Sequence, residues 1–125
     1  MLWESRPGGY MAVMKFQSLS IVRLRSPLEP VPDSPDDDAI QQAHMAFLMD
    51  LRNRGITFLS GPVKRVDDDR FRGMCIYSVG PDEARKYAME DPAVKAGWFV
   101  LEIDGWIVPA IPTVIGDRVD FEMEV

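Results

Sequence analysis

At 125 residues with 46% apolar content, the chain suits one folded domain and is too apolar for wholesale disorder. Acids outnumber bases by 20 to 14, a net charge of −6, which argues against nucleic-acid backbone binding because that task needs a basic face. One cysteine and one histidine exclude an intrachain disulfide and leave too few ligands for a zinc site of the usual His/Cys type within one chain.

Residues 1–13 read as an irregular lead-in broken by Pro7–Gly8–Gly9. Residues 1–16 lack the continuous apolar segment of a signal peptide, and no run approaches the ~20 apolar residues of a membrane span. The expectation is a cytoplasmic protein without a membrane partner. Phe16 to Leu24 reads as a strand with Phe16, Val22 and Leu24 on one face and Leu19 and Ile21 on the other, so both of its faces are partly apolar. Pro27, Pro30, Pro32 and Pro35 stiffen the loop that follows.

Ser34 to Gly55 reads as the main helix. Ser34 is the expected N-cap, Pro35 the first helical residue, and Asp37 reaches back three positions. Arg52 and Arg54 suit the negative end of the helix dipole, and Gly55 suits the left-handed stop. Ile40, Ala43, Phe47, Leu48 and Leu51 recur at helical spacing. His44 lies four residues after Ile40 and four before Leu48, so it points with the apolar stripe.

Ile56 to Val63 is an apolar run holding Ser60–Gly61–Pro62, where Gly61 reads as a point of close backbone approach and Pro62 as a withdrawn ladder donor. Asp67–Asp69 supplies a turn, and Gly73 to Val79 returns as a strand with Met74 and Ile76 opposite Cys75, Tyr77 and Val79. The acidic runs Asp36–Asp38 and Asp67–Asp69 read as solvated loop charge in preference to a metal patch. Cys75 reads as a buried, inert thiol.

Gly80–Pro81–Asp82–Glu83 opens a second helix, which Pro92 ends. Asp91–Pro92 then caps a short turn running to Gly97. Trp98 to Ile103 reads as the last core strand, interrupted at Gly105 before Trp106–Val108. Val119, Phe121, Met123 and Val125 alternate with charges, as in a half-buried edge strand. The order β-α-β-β-α-β is the ferredoxin-like split βαβ pattern of the α+β class, one antiparallel sheet with two helices on one face. The domain should span 14–109, with 110–125 as a C-terminal extension. The sheet's other face keeps apolar residues such as Leu19, Ile21 and Phe58, which points to a homodimer with sheets face to face.

Taken together, His44, Gly55, Ser60–Gly61–Pro62, Glu83–Ala84 and Asp91–Pro92–Ala93–Val94–Lys95–Ala96–Gly97 resemble the YciI-like (YCII-related domain) family of the dimeric α+β barrel group. The resemblance covers roughly residues 14 to 109. It implies a dimer and a cleft with a His–Asp site, here His44 and Asp91, lined by Ser60, Gly61 and Pro62. Ala93 stands where the family has an aromatic residue, which should widen the pocket there. Relatives include lactone isomerases and a chloromuconolactone dehalogenase, while many members have no known reaction.

Two readings follow. In the first, His44 is a general acid/base, since an imidazole gains and loses a proton near neutrality, and Asp91 orients it; the substrate is small and anionic or lactone-like, and no metal or organic cofactor is called for. The chain carries no P-loop, dinucleotide fingerprint or HExxH motif. In the second, His44 is a packed core residue, Asp91 is only a cap, and the dimer is a noncatalytic module for a small-molecule ligand or a protein. Trp98, Phe99, Trp106 and Tyr77 are candidates to line an apolar pocket, with core or dimer packing the default reading.

Overall fold

The computed structural model describes residues 13–110 and 117–124. Most of the expected lead-in and the last position of the C-terminal alternation, Val125, lie outside the described residues. The elements are β1 (Val13–Arg25), α1 (Asp37–Asn53), β2 (Thr57–Pro62), β3 (Phe71–Tyr77), α2 (Pro81–Ala88), α3 (Pro92–Lys95), β4 (Val100–Pro109) and β5 (Phe121–Glu124). The sheet runs β2-β3-β1-β4 with every pairing antiparallel, the strand order of the split βαβ pattern. It is open and does not close into a barrel within the chain. Among the described residues, no helix is long and apolar enough to cross a membrane.

Strand alternation sorts the side chains as the sequence suggested. Val22, Leu24, Cys75 and Tyr77 join Leu51, Ala84 and Ala88 in the core beneath the helices. Leu19, Ile76 and Val108 form a second cluster on the opposite face, with Ile21, Phe58 and Met74 packed against it. The one buried side-chain atom without a hydrogen-bond partner among the described residues is Thr57 Oγ1.

Several boundaries differ from the sequence reading. Regular α1 begins at Asp37, two residues later than expected, with Asp36 at the cap. Ser34 still acts locally: its hydroxyl accepts from Asp36 N–H at 3.2 Å, and the Asp37 carboxylate accepts from Ser34 N–H at 3.0 Å. The reciprocal capping contacts form, but Pro35 and Asp36 make a turn before the helix proper. At the other end Gly55 takes φ +73°, Ile56 N–H reaches Leu51 C=O and Gly55 N–H reaches Arg52 C=O, the paired bonds that close a helix on a left-handed residue. The turn to Gly97 is a third short helix, α3, closed the same way. β4 passes through Gly105 without interruption, because β1 pairs with it along its whole length from Arg25↔Val100 to Phe16↔Pro109.

Two irregularities shape the β2–β3 hairpin. Thr57 pairs with Tyr77 but Leu59 with Ile76, so Phe58 is an extra residue in β2. Leu24 pairs with Gly73 but Arg25 with Phe71, so Arg72 is an extra residue in β3. Each bulge reverses the facing of the residues beyond it or turns the extra side chain out of its alternation.

The C-terminal segment holds to β1. β5 pairs with Val13–Phe16, and Phe121 stacks on Phe16 with ring centroids 5.4 Å apart. Arg118 donates to the carbonyls of Ser18 and Ser78, and Asp120 N–H donates to Phe16 C=O.

Candidate active site

His44 sits midway along α1 on the border of its apolar stripe and is 8% exposed. Asp91 is 2% exposed and occupies the N-cap of α3. Their approach follows from helix packing: α1 lies against α3, and the capping geometry that Pro92 enforces aims the Asp91 carboxylate at the α1 surface. His44 Nδ1 is 2.8 Å from Asp91 Oδ1 and 2.9 Å from Oδ2. Asp91 Oδ1 also accepts from Ala93 N–H at 2.9 Å. Capping and contact with the imidazole, alternatives in the sequence, are both present in one carboxylate.

A carboxylate can only accept, so Nδ1 is the donor and carries the proton. The neutral ring then has an unprotonated Nε2, the form a general base requires. The Phe99 ring lies tilted against the imidazole at 5.8 Å between centroids and limits its rotation.

His44 opens onto a cavity of about 520 Å³ between α1 and the β2–β3 hairpin. Ser60, Gly61 and Pro62 line the hairpin side, so four of the five residues singled out in the sequence meet at this cavity. Asp91 is behind the ring and not on the wall. Ser60 reaches the cavity because the bulge at Phe58 puts it on the same face as Thr57, opposite Cys75. The expected close approach at Gly61 is absent: a Cβ there would meet nothing within 4 Å. The tight position is Gly73, where a Cβ would sit 3.3 Å from Gly61 O and from Leu24 Cδ1. Ala93 does not line the cavity, because it is wholly buried on the inner side of α3.

Of the remaining wall, the sequence had offered Phe99 as a pocket residue and had not singled out Arg52, Arg72, Met45 or Met49 as a site. Arg52 and Arg72 contribute charge, Met45 and Met49 half-exposed thioethers, and Phe99 an aromatic side. Arg52 had a signal, since 44, 48 and 52 fall on one helical stripe. Cys75 also borders the cavity, but burial, together with the nearby Asp91 charge, pushes its thiol from an ordinary 9.0 up to about 12. It is therefore a thiol at neutral pH and no nucleophile. A second cavity of about 300 Å³ lies under the proline-rich loop, walled by Pro27, Pro30, Pro32 and Trp98, and it shares Gln41, Arg72 and Phe99 with the first. Tyr77 is entirely core, and Trp106 is 45% exposed. Among the described residues, no group of three or more His, Cys, Asp or Glu side chains is placed to hold a metal ion.

A family model described as the YCII-related domain matches residues 10–107. No curated protein matches the chain. Among solved structures, the chain is similar to 5-chloro-2-hydroxyhydroquinone dehydrochlorinase from Burkholderia phenoliruptrix AC1100, in complex with 2,5-dihydroxybenzoquinone. The identity is 19% and the TM-score 0.47, over 70% of this chain and 92% of that one.

Proposed function

The chain belongs to the YCII-related domain family, and from that premise and the geometry above we propose that it is an enzyme whose His44 moves a proton on a small anionic or lactone-like substrate. The observation that carries this reading is the buried Nδ1–carboxylate contact of 2.8 Å at the wall of a substrate-sized cavity. In the proposed step, a substrate C–H bond breaks, the proton passes to His44 Nε2, and the electron pair stays on the substrate in conjugation with a neighbouring carbonyl. Asp91 holds the ring in the required tautomer and stabilises the imidazolium that forms. Return of the proton to another carbon gives isomerisation. The tidiest test is solvent-deuterium exchange into a panel of lactones and small acids, comparing wild type with His44→Ala. Loss of exchange with an unchanged melting temperature supports the reading; exchange that survives in the variant overturns it.

A second reading, binding without turnover, is favoured by the wall itself. Apart from His44, the titratable acid/base side chain on it is Cys75, whose thiol does not ionise near neutrality. In either reading we propose a homodimer packed through the helix-free sheet face, where Trp106 stands paired with Leu19 and exposed. Light scattering at micromolar concentration decides this, and a monomer mass would overturn it.

A further inference from the structure

Of the nine arginines in the described part of this acidic chain, four are held in ion pairs. Arg23 pairs with Asp104, Arg25 with Asp68 and Glu102, Arg54 with Asp50, and Arg118 with Asp120. Arg52 and Arg72 are different. Neither side chain has an ion pair or hydrogen bond among the described residues, yet both stand on the wall of the His44 cavity. Among the described residues, no aspartate or glutamate lines that cavity. A protein of net charge −6 thus presents a wall whose fixed charge is positive. Asp33 and Asp37 line the neighbouring cavity, but neither pairs with Arg72, and the Asp37 carboxylate is engaged by Ser34 N–H.

Arg72 is there by construction. Alternation along β3 gives Met74 and Ile76 to the helix-free face, and an even-numbered Arg72 would follow them. The bulge opposite Leu24 and Arg25 makes Arg72 the extra residue and turns it to the helix side, with Gly73 and Cys75. Arg52 arrives from the other wall, two turns along α1 from His44. Met45, Leu48, Met49 and Phe99 supply an apolar stretch of the same wall, and Gln41 and Ser60 add uncharged polar side chains.

We propose that Arg52 and Arg72 form an anion subsite that takes a carboxylate of the substrate and holds its apolar or planar body against Phe99 and the methionines, beside His44. A guanidinium offers paired donors that match a carboxylate. The same charges face the electron density left on the substrate when its proton departs. This assignment deepens the acid/base reading of the cavity by naming the charged group of its substrate.

The test uses benzoate and its neutral counterpart benzamide as probes. Binding is read from the NMR ring resonances of the chain's single histidine, in wild type, Arg52→Gln, Arg72→Gln and the corresponding lysine variants. Both arginines are exposed, so folding is expected to survive, and circular dichroism melts check it. Benzoate should shift the His44 resonances saturably and bind at least about tenfold more tightly than benzamide. Each glutamine variant should weaken benzoate by about tenfold, corresponding to ~1.4 kcal/mol, without changing benzamide. Lysine should restore part of the loss. Equal binding of the two probes, binding of neither, or glutamine variants that hold benzoate as wild type does would each overturn the subsite. Selective benzoate binding without deuterium exchange on any substrate of the panel would overturn the proton-transfer reading and leave the subsite standing. Exchange confined to neutral lactones, with no charge selectivity, would do the reverse.

Discussion

The two faces of one sheet are built by the same strands and have opposite characters. On the helix side, Val22, Leu24 and Tyr77 meet α1 and α2 in a packed core, but α1 does not close over the β2–β3 hairpin, and the space left holds His44 and two arginines. On the other side Leu19, Ile76 and Val108 form a purely apolar cluster, and Trp106 stands exposed beside it. A buried histidine and aspartate cost desolvation unless each satisfies the other, and the helix face pairs them. The helix-free face carries no such arrangement among its cluster residues and suits packing. The proposed proton-transfer site therefore falls where the helices leave room, and the proposed dimer contact where helices are missing.

The largest expected effect lies on the helix face. His44→Ala should lower turnover on an accepted substrate by roughly 100- to 10,000-fold, the usual contribution of a positioned acid/base, in steady-state assays. Asp91 separates its two tasks by substitution. Asp91→Asn keeps an oxygen to accept from Ala93 N–H and loses the charge that supports the imidazolium, so activity should fall with little change in melting temperature. Asp91→Ala also removes the cap, at about 1 kcal/mol, and should melt measurably lower than the asparagine variant.

On the helix-free face Trp106→Asp should shift the mass by light scattering from dimer to monomer while leaving the benzoate-induced shifts of His44 in place. A variant that loses both would show that the two faces are coupled.

A smaller effect appears at alkaline pH. Burial, with smaller contributions from Cys75 and Asp91, pushes Tyr77 upward from its ordinary 10.0, and the Cys75 thiol rises from 9.0 to about 12. Below about pH 9 both the folded and the unfolded thiol keep their proton, and this contribution is fully present. As pH rises from about 9 to 12, the unfolded chain loses the proton first, and stability falls. Urea melts at pH 8 and pH 10.5 should show this loss, and Cys75→Ala should show less of it than wild type.

The smallest effect concerns the orphaned hydroxyl. Thr57→Val exchanges an unsatisfied oxygen for a methyl of nearly the same shape and should stabilise by about 1 kcal/mol or less, seen as a slightly raised melting temperature.

Much of this was readable from the chain. Element order and the facing of β1 and β3 followed from alternation, because each strand separates two apolar clusters. The meeting of His44 and Asp91, 47 residues apart, rested on motif resemblance; no periodicity relates a mid-helix position to the cap of another helix. Arg72 was not readable, because a one-residue bulge reverses what alternation says, and the bulge is set by pairing between strands distant in sequence. The break expected at Gly105 did not occur, since ladder bonds to β1 hold a glycine in register as firmly as any residue. Arg52 was visible but explained too soon by the helix dipole, when its place on the His44 stripe was the better clue.

The short β5 strand has a consequence for the behaviour of the chain in solution. β3 covers β1 only from Ser20 onward, so without β5 the backbone donors and acceptors of Val13–Phe16, three of whose four side chains are apolar, would face outward as a template for foreign strands. β5 replaces that edge with one only four residues long carrying Glu122 and Glu124, whose charges repel a further strand. A chain cut after residue 116 would keep every wall of the cavity and still be the more aggregation-prone protein. By this placement the C-terminal strand, beyond the end of the family match, is expected to guard the sheet edge against foreign strands.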